Sequence, residues 1–170
     1  MVSLFTILFL VGAVKAASGT VTGSPPSLRE LTRMADVIVI GEVVHTQSEW
    51  NASRTVIWTR IQVGIEEGLK GSAKGERLNF SQMGGQIGDI AASVGGTPSF
   101  REGERVLLFL STRADKSLGI VGIFHGKFTI EPSKSSDNKL VVRREPDSGR
   151  VLDRYPLNQA HAEILQALGK

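Results

Sequence analysis

Cysteine is absent from all 170 residues. That excludes disulfide staples, thiolate zinc sites, iron–sulfur clusters and cysteine nucleophiles together. Neither sign of charge dominates: 20 Lys and Arg face 17 Asp and Glu, for a formal net charge of +3. The densest basic pair, Arg143 and Arg144, is followed at once by Glu145. Nucleic-acid binders gather their cations on one face, so this scatter reads as solvated surface and no nucleic-acid partner is expected. No apolar run is long enough to span a bilayer, which takes about 20 residues. Aromatic residues are few, at 6%.

The one extended apolar run, residues 4–14, matches the hydrophobic region of a secretory signal peptide, with small residues at Val14 and Ala16. Cleavage after Ala16 is expected, giving an exported protein without a stable membrane anchor; a buried element of the domain is the alternative. Residues 17–26 then read as a flexible Gly-, Ser- and Thr-containing leader, and residues 27–170 as a single domain. With 41% hydrophobic and 22% charged residues, the composition is that of a globular domain rather than a disordered chain.

Ser27 and Glu30 have the spacing of a capping box, which predicts a short helix carrying Leu28, Leu31 and Met34 inward. A β-branched strand over residues 37–47 is interrupted by Gly41, the mark of a bulge or sharp bend. In the next strand Ile57, Ile61, Val63 and Ile65 alternate with Trp58, Arg60 and Gln62, a period of two that no helix fits. Residues 83–100 hold Gly84, Gly85, Gly88, Gly95 and Gly96 and show no sustained period, although residues 87–94 have room for a short helix. Val106, Leu107, Leu108, Phe109 and Leu110 predict a strand buried on both faces. A hairpin across the Pro146–Gly149 quartet follows, then a helix with Ala160, Ile164, Leu165 and Leu168 inward, capped by Asn158 and stopped by Gly169. About seven short strands with a helix near each end predict a mainly β fold: a partly closed antiparallel barrel of the oligonucleotide/oligosaccharide-binding type. A two-sheet sandwich is the second choice.

No catalytic set emerges. His45, His125 and His161 fall on separate elements, and no metal-ligand spacing joins them. Gly122 to Phe128 is one residue short of a phosphate-binding loop and ends in Phe where Ser or Thr would hold magnesium. Ser136, Asp137 and Asn138 spell a β-lactamase triplet without its companions. No enzyme activity, cofactor or metal is expected. Binding is better supported. Trp50 and Asn51 sit at the first hairpin tip, and Trp58 and Arg60 on the outward side of the second strand. Indoles there offer flat apolar platforms with a polar edge, and Trp58 has satellite core beneath a terminal helix as its other reading. Gly84, Gly85 and Gly96 mark an irregular segment of a length that is often functional.

The stretch from Leu31 through Ala35 and Asp36 to Val44 resembles the opening of the netrin-like module of tissue inhibitors of metalloproteinases. Leu69-Lys70-Gly71, Gly84-Gly85, Gly96-Thr97-Pro98, the 100–110 segment and Gly126-Lys127-Phe128 resemble a group of exported bacterial proteins. The resemblance implies the barrel and suggests inhibition of an extracellular protease. Those inhibitors, however, grip the protease zinc through an N-terminal cysteine, which is missing here, and a shared fold does not carry a site across. The expected function is an exported, non-catalytic barrel that binds an extracytoplasmic protein. A carbohydrate or cell-envelope module using Trp50 and Trp58 is the alternative.

Overall fold

The computed structural model describes residues 24–133 and 138–170. The expected signal peptide, residues 1–16, the leader residues 17–23 and most of the Ser136 triplet lie outside them. Among the described residues, no helix is long and apolar enough to cross a membrane.

The chain runs α1 (Leu28–Met34), β1 (Val37–Trp50), β2 (Ile57–Lys70), β3 (Arg77–Met83), β4 (Gly85–Ile87), β5 (Ile90–Ala92), β6 (Arg105–Thr112), β7 (Leu118–Ile120), β8 (Lys127–Glu131), β9 (Leu140–Arg144), β10 (Val151–Pro156) and α2 (Leu157–Ala167). It is a mainly β, antiparallel fold, as expected. The main sheet has the order β10-β9-β8-β6-β1-β2-β3, with β7 beside β6, while β4 and β5 form a separate hairpin.

Two cores lie on opposite faces of this sheet, and strict alternation sorts the side chains between them. Leu107 and Phe109 face the first core with Ile38 and Ile40, while Val106, Leu108 and Leu110 face the second with Val37, Val39 and Val43. All five residues from Val106 to Leu110 are fully buried. β6 is therefore apolar without interruption because it separates two interiors. α1 and α2 cover the first core with Leu28, Leu31, Ala160 and Ile164. The second lies inside the curl of β1, β2, β3 and β6, where Ile61, Val63 and Phe80 meet.

β1 serves both edges. It pairs with β2 along most of its length and with β6 over residues 37–42. Its register slips at Ile40/Gly41, the bulge that Gly41 announces. A Cβ on Gly41 would overlap the Gly64 carbonyl oxygen and come within 2.8 Å of Val63 Cγ1. Only glycine lets the two strands approach this closely.

The backbone ladder does not close, since β3 and β10 are its two ends. Arg113, in the loop after β6, spans the seam instead. Its Nη1 donates to the Ser81 carbonyl of β3 at 3.5 Å and to the Leu118 carbonyl of β7 at 3.2 Å. The guanidinium lies against Gly119, where a Cβ would come within 2.6 Å of it. The result is a curled, incompletely closed sheet with Arg113 bridging β3 and β7.

Several local expectations need correction. Ten strands form rather than about seven, because β4, β5 and β7 have only three residues each while β1 and β2 run to 14. Residues 87–94 form no helix. Gly85 at φ +136° and Gly88 at φ +58° fold the segment into the β4–β5 hairpin. The capping box at Ser27 is present, but Met34 is 55% exposed. At 100° per residue, Leu28, Leu31, Thr32 and Ala35 share one face and Met34 falls on the other side. α2 starts at Pro156 without a side-chain cap, and Asn158 Oδ1 accepts the Gln159 N–H instead.

Candidate functional site

Antiparallel register decides which side chains meet on the outer face of the curled sheet. Directly paired residues share a face, so Trp58 stands beside Glu49 of β1 and Met83 of β3, and Arg60 beside Gln47 and Ser81. Both helices pack on the far side of the molecule, against β6, β9 and β10. Trp58 is half-buried and is not satellite core beneath a helix. Two concavities flank it.

The first, about 440 Å³, lies between Trp58, Met83, Val94, Ile120 and Ile123. The second, about 680 Å³, lies between Trp58, Arg60, Gln62, Asn79 and the 113–118 loop. They share Trp58, Phe80, Ser81, Arg113 and Asp115 and so form one two-lobed trough along β3 and the seam. Each lobe falls in the size range of ordinary ligand sites. Met83, Val94 and Ile123 are all large apolar side chains left more than 40% exposed.

Ile123 is the most unusual residue in the trough. Its backbone φ is +69°, and the Phe124 N–H donates to the Gly122 carbonyl across it at 2.8 Å. That is the rare, strained form of the three-residue turn, and a β-branched residue there is a true outlier. Its side chain is 67% exposed, so packing does not repay the strain. Backbone strain that burial does not repay concentrates at functional positions. Ile123→Gly is accordingly expected to stabilise the protein by about 1 kcal/mol, because relief of left-handed strain outweighs the added chain entropy. Thermal unfolding should shift upward by roughly 3 °C; an unchanged or lower midpoint would show that the turn is not strained.

The expected site residues divide into two groups. Trp58 and Arg60 line the trough. Gly96, at φ +78°, brings residues 94–97 against Ile123, whose Cγ2 would lie 3.7 Å from a Cβ there. Gly84 and Gly85 line an adjoining depression that shares Gln82, Met83, Val94 and Thr97 with it. Their role is to cross β3 over the first hairpin: Gly84 N–H donates to the Ile57 carbonyl, and Thr59 Oγ1 donates to the Gly84 carbonyl at 2.7 Å. A Cβ on Gly85 would overlap the Thr59 and Ser48 hydroxyls.

Trp50 and Asn51 are not brought in. Trp50 closes β1 opposite Ile57, at the hairpin tip beyond the trough. Asn51 is committed to building that tip. Its Oδ1 accepts the N–H groups of Thr55 and Val56 at 2.8 and 3.1 Å, and its Nδ2 donates to the Ser53 and Thr55 hydroxyls. The sequence pattern missed Arg113, Val94 and Ile123, whose roles depend on long-range pairing and on backbone angle.

A second cleft, about 540 Å³, has a charged floor. Lys127 Nζ donates to Glu104 Oε1 at 2.8 Å and to the Ser99 carbonyl, and Thr129 Oγ1 donates to the same carboxylate oxygen at 2.7 Å. Burial pulls the Lys127 amine below its usual range, partly opposed by Glu104. Two of the amine's three donors tie residues 99–104 to β8, which makes it a structural lock. The three histidines occupy separate neighbourhoods: His45 bonds Glu102, His161 bonds Glu67, and His125 lies beside Arg143. Among the described residues no group of three ligating side chains is placed to hold a metal ion.

This architecture is a curled, incompletely closed antiparallel sheet with an amphipathic trough at its seam. No protein-family model, curated protein or solved structure matches the chain.

Proposed function

We propose that the protein is an exported, non-catalytic binding module that recognises a protein partner through the trough around Trp58 and Ile123. The observation that carries this reading is the strained, exposed Ile123, set beside Met83 and Val94 in one groove. Protein interfaces draw most of their affinity from a few well-placed apolar and aromatic anchors inside a polar rim. Trp58 supplies the aromatic anchor, and Arg113 and Asp115 the rim.

With the purified protein as bait in the exported fraction, a partner should be captured by the native chain and by Met34→Asp. It should be lost with Ile123→Asp and with Met83→Asp. Met34 is the control because it is as exposed as the groove residues and lies on α1. Capture that survives both groove substitutions, or no capture at all, overturns the proposal. The netrin-like resemblance makes a secreted protease the partner class to test first.

A glycan-binding reading draws on a different feature. Gln47, Arg60, Gln62 and Asn79 line the lobe that Trp58 borders and carry groups suited to sugar hydroxyls. In a Trp50→Phe background, envelope glycans that leave Trp58 fluorescence unchanged would dispose of it.

A further inference from the structure

The two lobes of the trough differ in chemistry, and that difference restricts what fits it. The lobe at Met83, Val94 and Ile123 is lined mainly by apolar side chains, with Arg113 and Asp115 on the wall it shares with the other lobe. The other carries Arg60, Arg113 and Lys116 against the single carboxylate of Asp115. That carboxylate is already engaged: it accepts the Ser117 N–H at 2.9 Å and the Ser117 hydroxyl at 2.6 Å. Those bonds hold it ionised, below the usual carboxylate range. Arg60 is shared with Glu49 at 2.6 Å. Arg113 Nη1 donates to the Ser81 and Leu118 carbonyls and the Ser117 hydroxyl; among the described residues no carboxylate pairs with it within 4 Å, although its charge is felt by Asp115. Lys116 also has no ion pair among the described residues and stands exposed in the loop.

β3 fixes the distance between the lobes. Met83 opens onto the apolar lobe and Asn79 onto the cationic one. Four residues of strand span roughly 13 Å, and an extended chain beside β3 covers the same length in four residues. We infer that the trough takes an extended protein segment with an apolar anchor residue, branched or aromatic, for the Ile123 lobe. A carboxylate about four residues away meets Lys116 in the cationic lobe, while Arg113 lies on the wall that both lobes share. This inference rests on the protein-binding reading above and adds the chemistry of the partner. Charge complementarity favours such a segment over a neutral glycan, which would leave Lys116 unanswered.

The test uses the purified protein and three synthetic ten-residue peptides of Ser and Thr. One carries Leu and Glu four positions apart, one Leu and Lys, and one Glu alone. Binding is read by Trp58 fluorescence in Trp50→Phe protein. The Leu–Glu peptide should bind about tenfold tighter than either of the others. Lys116→Glu should reverse the preference between Leu–Glu and Leu–Lys. Ile123→Asp should abolish binding of both Leu-containing peptides. If Leu–Glu and Leu–Lys bind equally and both require Ile123, the acidic specificity is overturned while protein binding stands. If no peptide binds, or binding ignores Ile123, both readings fall. Displacement of bound peptide by a chitin hexasaccharide would transfer the trough to the glycan reading.

Discussion

Replacing Asp153 with alanine is expected to cost about 3–5 kcal/mol of stability, the usual penalty for stranding a buried charge. The stranded group is Arg143, the largest fully buried side chain among the described residues, with 1% exposure. Its Nε donates to Asp153 Oδ2 at 2.6 Å, and Nη2 pairs with the same oxygen. The other guanidinium contacts are neutral: Nη1 donates to the His125 carbonyl at 3.2 Å, Nη2 to the Pro26 carbonyl at 2.9 Å, and the Phe128 ring lies 5.0 Å below. Asp153 is thus the one counter-charge among the described residues. Neighbouring groups register the cation. Burial lowers the His125 pKa, and the Arg143 charge lowers it further. Burial raises the Tyr155 pKa, helped by Asp153, and the Arg143 charge opposes the rise. For a chain of this size the loss corresponds to a melting midpoint lower by roughly 10 °C. Combining Arg143→Met with Asp153→Leu should recover part of it, because an apolar pair leaves no buried charge. Full recovery is not expected, since the Pro26 and His125 carbonyls would lose their donor. A melting point within two degrees of the native value for Asp153→Ala would contradict this account of Arg143.

The second large effect is expected at Gly41. Adding one methyl in Gly41→Ala should destabilise the protein by about 3 kcal/mol, at the upper end for overpacking. The obstruction is backbone: the new Cβ would overlap the Gly64 carbonyl oxygen, which no rotamer change can move. β1 and β2 would have to separate at the bulge, between residues that feed both cores. Gly75 is the matching control, because nothing lies within 4 Å of a Cβ there. Its φ of +88° still penalises a side chain, so Gly75→Ala measures backbone conformation alone. Urea midpoints for the two variants separate the effects; equal losses would mean that close approach at Gly41 is not the cause.

What the sequence revealed was the part encoded by local period and local chemistry. The alternation from Ile57 to Ile65 identified β2 and its buried face, and the run from Val106 to Leu110 identified the doubly buried strand. Gly41 announced a bulge, and Ser27 with Glu30 a helix start. Each of these depends on neighbours in the chain. The trough does not. Arg113 meets Ser81 across 32 positions, and nothing near Arg113 distinguishes it from the other exposed arginines. The strain at Ile123 resides in a backbone angle. The Gly122–Phe128 segment, close to a phosphate-loop pattern, uses Gly122 at φ +62° to enter the strained turn. Asn51 misled in the opposite way, because a polar residue at a loop tip looks available until its hydrogen bonds are traced. Trp58 and Arg60 were legible because strand alternation alone placed them on the outer face.

The most direct test of the protein-binding trough is site-specific photocrosslinking in the cell that makes the protein. A benzophenone side chain placed at Val94, on the exposed wall of the apolar lobe, should yield on irradiation one discrete adduct containing a second polypeptide. The same group at Met34 should not. No adduct from Val94, or the same adduct from both positions, would contradict the account.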